Sequence, residues 1–530
     1  MPYVVTQNCC NDAACVPVCP VGCIHPAPGE PGYATAEMLY IDPDTCIDCG
    51  ACADVCPVEA ISPDDSLEGA DLRYIDINAD FYACGAHRPT TLPLAVLPPK
   101  VTVGTDASVL RVAIIGSGPS ACYAAEELLS RRGVRVEVTM IERLPFAGGL
   151  VRYGVAPDHS KTKGVDKTFA RTIRRSGMTF FLDVEVGRDL SLDEVAAHHH
   201  AVIVATGATE DRRLNVEGEA LAGVHGAREF VAWYNGHPDY SDVAFDLSDE
   251  RAVVVGNGNV ALDVARVLVA DLDHLRRTDI ADHALDVLSG SAVREVVVLG
   301  RRGVEAAAGT VPELLGLASL SGVDVLVDGD VAASADATYK TRVLAEYAAA
   351  RPTAGNRRII LRFNSVPERI LGESRVAGIR LSGPEAVTDL DCGLILRSIG
   401  YRGSPFPGLP FDEVRGTVAN VDGRVVEPES GSAVVGRYVT GWIKRGPSGV
   451  IGTNRVCARQ TVAALFDDFA AGSLSDPASG AERFAQLVTE RRPSAMTADD
   501  WFTVDRHERT VGRAQGRPRV KLLNPRPALA

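Results

Sequence analysis

Nine of the thirteen cysteines fall early in the chain, at positions 9, 10, 15, 19, 23, 46, 49, 52 and 56. Thiols crowded this way either pair as disulfides or bind metal. The opening residues, MPYVVTQNCC, carry neither a basic stretch nor a long apolar one, so the reducing cytoplasm is the expected compartment and metal the expected ligand. Cys46, Cys49, Cys52 and Cys56, followed by Pro57, read C-x2-C-x2-C-x3-C-P. In such a run three thiolates hold one iron–sulfur cubane and the fourth reaches a second cluster. Zinc ribbons use separated C-x2-C pairs, and thiols this tightly spaced would hardly close a tetrahedral zinc site.

The pattern repeats 37 residues earlier, where Cys19-Pro20 matches Cys56-Pro57 and Cys15 matches Cys52. Cys9 then stands opposite Cys46, but the place opposite Cys49 holds Asp12. Crossing the fourth cysteines assigns Cys46, Cys49, Cys52 and Cys19 to a complete [4Fe-4S] cluster, and Cys9, Cys15 and Cys56 to the other. That second cluster is [3Fe-4S], or [4Fe-4S] with a carboxylate or hydroxide on a labile iron, Asp12 being the candidate ligand. Cys10 is expected to point elsewhere, and Cys23, outside the repeat, reads as a small buried thiol. The head resembles bacterial two-cluster ferredoxins over about 80 residues; INADFY at 77–82 resembles the extension of seven-iron ferredoxins, although the gap between Cys9 and Cys15 is shorter than theirs.

Electrons must reach such clusters from elsewhere in the chain. At Val112 an apolar run enters Gly116-Ser-Gly118-Pro-Ser120-Ala121, a helical pattern follows, and the next strand ends at Glu142. Glycines let the backbone turn tightly and approach a pyrophosphate at the positive end of the helix, while Glu142 can hold ribose hydroxyls. AVIVATGA at 201–208 reads as a buried strand ending in a glycine turn and resembles the ATG motif of flavoproteins with two dinucleotide sites. A second unit begins at 252, with Gly256-Asn257-Gly258-Asn259-Val260-Ala261 before a helix, and its next strand ends at Arg301 and Arg302 instead of an acid. Two guanidiniums suit a 2'-phosphate, which indicates NADP over NAD. The long gap between Gly258 and Arg301 requires an insertion within 262–292.

Near the end, TGWIKRGPSGVIGTN at 440–454 reads as a loop leading into a helix whose amino terminus can face an electron-rich part of a flavin. With GGLVRYGVAPDH at 148–159, this closely resembles the adrenodoxin-reductase-like ferredoxin–NADP reductases over about residues 108–525. The resemblance implies that Gly116, Ser120, Ala121, Glu142, Leu150, Val186, Trp442, Gly449, Val450 and Ile451 bind FAD. It places Asn257 to Val260, Arg301, Arg302, Glu313 and Gly449 at NADP. His159, at the end of the flavin-side motif, and Glu313 are the candidate catalytic residues, His159 for positioning groups near the ring or moving a proton. The whole chain resembles the ferredoxin/ferredoxin–NADP reductase fusions of actinobacteria.

The expected architecture is therefore α/β: two Rossmann-like dinucleotide-binding domains, for FAD and NADP, preceded by a small α+β two-cluster ferredoxin domain. The divisions read as ferredoxin 1–82, a proline-bearing linker 83–107, the first FAD part 108–210, NADP 211–415, and the second FAD part with the tail 416–530. The expected activity is that of a ferredoxin–NADP(+) reductase. It passes electrons between NADPH and one-electron acceptors, such as a ferredoxin or a cytochrome P450 system, because a flavin alone of these groups handles both hydride and single electrons. The flavin subunit of a glutamate-synthase-like complex is the rival, disfavoured by its different cysteine spacing and by the KRGPSGVIGTN loop. Dithiol chemistry is disfavoured because Cys84, Cys122, Cys392 and Cys457 form no C-x2-C pair.

Composition excludes other classes. The 530 residues carry a net charge of −15 with 46% hydrophobic content, no long apolar run fits a membrane span, and so acidic a chain is a poor partner for nucleic acid. The acidity is local: residues 1–70 hold eleven Asp/Glu and no Lys or Arg, whereas after Glu490 nine Arg/Lys face four Asp/Glu. An acidic head and a basic tail are expected to steer partners or each other, or to be solvated surface. His198, His199 and His200 precede a buried strand and read as a surface loop.

Overall fold

The computed structural model describes residues 2–83, 109–329, 331, 337–384 and 386–529. The expected linker lies outside the described residues except Ala83, which ends a helix. Leu110–Ile115, Val136–Ile141, Met178–Leu182, Ala201–Val204 and Ala433–Val439 form the parallel heart of an eight-stranded sheet. The Val- and Ile-rich runs of Leu110–Ile115, Val136–Ile141 and Ala201–Val204 suit strands covered on both faces, and Ala201–Val204 is buried throughout. The last of these strands comes from a distant part of the chain, so segments within 110–204 and 420–497 build one sheet.

The second domain is a six-stranded parallel sheet ordered Val224–Gly226, Leu394–Arg397, Arg251–Val255, Glu295–Leu299, Arg357–Arg362, Val323–Asp328. Between the helix Asn259–Val269 and the strand Glu295–Leu299 the chain inserts helices Leu272–Leu275 and Asp282–Ser289, which account for the long gap before Arg301. The chain leaves and re-enters the first domain through an antiparallel ribbon of Glu210–Asp211 and Tyr401–Arg402.

The head has two small ribbons, Tyr3–Val5 with Ile61–Pro63 and Ile24–His25 with Tyr40–Ile41, and the helix Arg73–Ala83. Asn78 on that helix accepts from the N–H groups of Val5 (3.2 Å) and Ile41 (2.9 Å), and donates to the Val5 carbonyl, so one buried amide ties both ribbons together.

Two surface expectations are corrected. His199 and His200 are buried: His199 Nδ1 lies 2.7 Å from the Val195 carbonyl, and His200 Nδ1 accepts the Arg111 N–H at 3.0 Å. The helix Leu192–Ala197 ends one residue before them, so they turn inward against Phe484 and Phe469. Part of the basic tail is not solvated surface either. Arg517, Arg519 and Lys521 are buried, and they pair with Asp282, Glu508 and Asp279. The acidic head instead meets cations of both other domains, through Glu37–Lys340, Asp80–Arg342 and Asp12–Arg455.

Candidate functional site

The first glycine turn is shaped by contacts that admit no side chain. Gly116 has φ +106°, and a Cβ there would lie 2.7 Å from the Ala205 carbonyl, in the ATG turn. Gly149, in the GGL motif, has φ +50°, and its Cβ would stand 2.8 Å from the Gly118 Cα. Two chain turns thus meet backbone to backbone at the amino end of the helix Pro119–Leu129, a cradle suited to a pyrophosphate. Glu142 accepts from Ser117 N (2.9 Å), Ser117 Oγ (2.7 Å) and Leu144 N (2.9 Å); burial pushes its carboxyl up and these bonds oppose the shift. Leu150 follows Gly149 and is exposed, whereas Val186 is buried beside the same sheet.

The loop near 440–454 closes on this turn. Ser120 Oγ donates to Asn454 Oδ1 at 2.8 Å, and a Cβ on Gly441 would lie 2.2 Å from Ser120 Oγ. Trp442 Nε1 donates to the Ser448 carbonyl, and Arg445 donates to Ser448 and to Asn454. Gly449, Val450 and Ile451 are held between these bonds and the helix Thr453–Ala470.

At the second turn Gly256 has φ +114°, and a Cβ would meet the Ser398 carbonyl at 2.2 Å. A Cβ on Gly258 would meet nothing within 4 Å, leaving space beside Asn259 and Val260. Asn257 and Asn259 accept from the N–H groups of Ala308 (3.4 Å) and Thr310 (2.9 Å), which ties the segment after Arg302 to the turn. Arg301 and Arg302 are exposed and have no ion-pair partner among the described residues.

Between the two turns lies a cluster that the sequence only half revealed. Arg266, buried on the helix Asn259–Val269, donates to Asp158 (2.6 Å), Asp263 (2.6 Å), Glu313 (3.3 Å) and His159 Nε2 (2.6 Å). A guanidinium has no lone pair to offer, so His159 Nε2 accepts and its ring proton sits on Nδ1. His159 Nε2 lies 3.7 Å from Glu313. Burial raises the Asp158 carboxyl, yet the charge of Arg266 overrides it and holds that carboxyl well below its ordinary range; burial and then Asp263 push Glu313 up against the pull of Arg266. His159, Asp263 and Glu313 have the donor types of a metal site, with ligand atoms within 4.8 Å of one another, and the Arg266 guanidinium is the cation among them.

In the head, Cys19, Cys46, Cys49 and Cys52 line one pocket, as the crossed repeat requires, and Cys23 joins them with its sulfur 3.4 Å from that of Cys19. Cys9, Asp12, Cys15 and Cys56 are electrostatic neighbours on the other side. Burial pushes the Cys9 thiol up to about 12 and Cys52 up to about 11, so a metal bound there would have to displace a proton from each. Asn11 and Ala13, flanking Asp12, both have φ near +55°. Asp12 Oδ1 accepts from Ala14 N at 3.2 Å, and its other oxygen faces Arg455 at 3.8 Å.

Residues 110–428 match the pyridine nucleotide-disulphide oxidoreductase family, and residues 39–62 match the 4Fe-4S binding domain. A "Probable ferredoxin/ferredoxin--NADP reductase" of Mycobacterium tuberculosis is 50% identical over 99% of this chain and 94% of its own length. The chain belongs to the ferredoxin/ferredoxin–NADP reductase family. The "NADPH-ferredoxin reductase FprA" of Mycobacterium leprae is 45% identical over 78% of the chain and 96% of its own length. The structure "Mycobacterium tuberculosis FprA in complex with NADPH" superposes with a TM-score of 0.74 at 42% identity, covering 80% of this chain and 99% of that one.

Within this reductase fold Arg266 and the contacts between motifs escaped sequence reading. Gly149 and Asn454 have no spacing signal that links them to Gly118 and Ser120. Arg266 looked like an ordinary helical residue, and only its place two turns beyond Gly258, on the helix face turned toward the other domain, makes it a bridge. Cys122, Cys392 and Cys457 are buried free thiols.

Proposed function

We propose that NADPH binds at Asn257 to Val260 with its 2'-phosphate met by Arg301 and Arg302, and that the Gly116–Ala121 turn, Trp442 and Gly449 to Ile451 would hold FAD. FAD, when bound, takes an electron pair as hydride and releases electrons singly. The chain's own residues place the partners. Glycines at 116, 118 and 149 admit the pyrophosphate, Glu142 holds the ribose, and the packed loop of Trp442 to Asn454 excludes water. Arg266 orients His159 and Glu313 toward the nicotinamide side and balances their carboxylate surroundings. Clusters held by the head's cysteines would pass single electrons on to one-electron acceptors, a ferredoxin or a cytochrome P450 system. The unpaired Arg301 and Arg302 beyond the second glycine turn carry this reading. Adding NADPH anaerobically should bleach the flavin spectrum and support reduction of cytochrome c; a spectrum unchanged by NADPH would refute it.

Two more expected results belong to these sites. Gly116→Ala puts a methyl group against the Ala205 carbonyl at a left-handed position, a strain of about 1–3 kcal/mol. The purified variant should retain about one-tenth of the flavin per protein, read from its absorbance. The set of Cys9, Cys15 and Cys56 has one carboxylate in place of a thiolate, and the engagement of Asp12 with Ala14 and Arg455 favours [3Fe-4S] there. The oxidised protein should then give an EPR signal from that cluster, and Asp12→Cys should remove it by supplying a fourth thiolate. A wild-type protein silent when oxidised would assign four irons.

A further inference from the structure

The head is seated against the flavin-side loop by its incomplete ligand set. The Gly452 N–H donates to the Cys10 carbonyl at 2.7 Å, one residue beyond the Gly449–Ile451 stretch. A Cβ on Gly452 would come within 2.0 Å of the Asn11 carbonyl, so the two backbones touch where only glycine fits. Cys10, Val58 and Ala60 are buried in the same apolar core as Tyr123, and Cys9, Cys56 and Ile451 pack against it. Arg455 donates to the Asp12 carbonyl at 3.3 Å.

The complete set lies on the open side. Cys49 is exposed, and its neighbour Ile47 is 57% exposed. A second row of contacts fixes this orientation from the nucleotide domain: Arg73 forks onto Glu346 at 2.9 and 3.0 Å, and Glu37 accepts from Val311 N (2.7 Å) at the start of the helix that carries Glu313 while pairing with Lys340 (2.7 Å). Both contact rows come from the same polypeptide, so seating needs no encounter between separate molecules.

We propose that the head works docked on its own reductase, with the Cys9–Cys15–Cys56 set receiving electrons from the flavin side and the Cys19–Cys46–Cys49–Cys52 set delivering them at the open surface. The proposal rests on the flavin and iron–sulfur reading above and adds the order and the fixed seating. The stoichiometry is one hydride from NADPH, giving NADP(+) and one proton, while two acceptor molecules each gain one electron.

The order is tested in the full-length, cluster-loaded protein by rapid-freeze EPR after mixing with NADPH, alongside flavin bleaching. With Cys15→Ala the flavin should bleach at the wild-type rate while reduction of the remaining cluster slows by about a hundredfold, a barrier increase of about 2.7 kcal/mol. With Cys49→Ala the remaining cluster should be reduced at close to the wild-type rate, and only transfer to cytochrome c should fail. The reverse dependence overturns the order. Where a cysteine variant fails to assemble its head, the seating is decided by charge. Glu346→Arg should slow cluster reduction about fivefold by setting two guanidiniums together, and the swap Arg73→Glu with Glu346→Arg should restore it. Cluster reduction unaffected by Glu346→Arg overturns docking in cis. Wild-type protein with no bleaching or no cluster signal refutes the underlying functional reading instead.

Discussion

Replacing Arg301 and Arg302 together by alanine is expected to lower kcat/KM for NADPH by about a hundredfold while leaving that for NADH within about threefold of its starting value. Both side chains are exposed just beyond the strand Glu295–Leu299, and neither is held by a carboxylate among the described residues. Their donors are therefore available without breaking an existing pair. Hydrogen bonds to a charged group contribute about 1.5–3 kcal/mol each, so losing two removes at least about 3 kcal/mol, about two orders of magnitude. NADH lacks the 2'-phosphate and has nothing to lose there. Because the arginines face water, the wild-type preference should also shrink as ionic strength rises. Steady-state kinetics with both coenzymes at two salt concentrations check this, and an unchanged ratio of the two kcat/KM values would place the phosphate elsewhere.

The two glycine turns were readable because each is a local event: strand, turn and helix are consecutive, and the steric demand at Gly116 or Gly256 is met by a neighbouring strand end of the same domain. The cysteine repeat was readable for the same reason, since thiolate spacing within a short loop limits which sulfurs can share a cluster. What sequence did not disclose depends on chain segments far apart. Gly149 meets Gly118, and Arg266 reaches back to Asp158, across 108 positions, only after two sheets have folded and packed. Cys23 reads as an isolated small thiol until the Ile24–His25 ribbon turns it toward Cys19. The charge pattern misled most. Composition cannot distinguish a solvated basic tail from one drawn inside by buried carboxylates, and Glu508, the residue that draws it, lies within the tail itself. The head's acidity likewise found its partners at Lys340, Arg342 and Arg455.

Glu508 gives the second large expectation. Its side chain is fully buried, one oxygen accepting from Arg152 (2.6 Å) and Leu522 N (2.8 Å), the other from Arg152 (2.8 Å) and Arg519 (3.0 Å). Glu508→Ala would leave two buried guanidiniums facing each other, and breaking such a pair costs about 3–5 kcal/mol. Burial raises this carboxyl, but Arg152 and then Arg519 outweigh it and hold it down to about 2, against an ordinary 4.5. A depressed carboxyl contributes stability that is complete above its unfolded value and is lost as pH falls through its folded one. The wild-type unfolding midpoint should therefore drop steadily between about pH 4.5 and pH 2. Asp279, between Lys163 and Lys521, is likewise held down to about 2, so Glu508→Gln should shallow that slope without abolishing it. Chemical denaturation of the full chain across this range measures both effects. The consequence for function runs through Arg152, on the short helix Leu150–Tyr153 that begins at Gly149. Loosening Glu508 frees that helix, and with it the glycine packed on Gly118, so Glu508→Ala should lose FAD on dilution faster than the wild type even at neutral pH, where it remains folded.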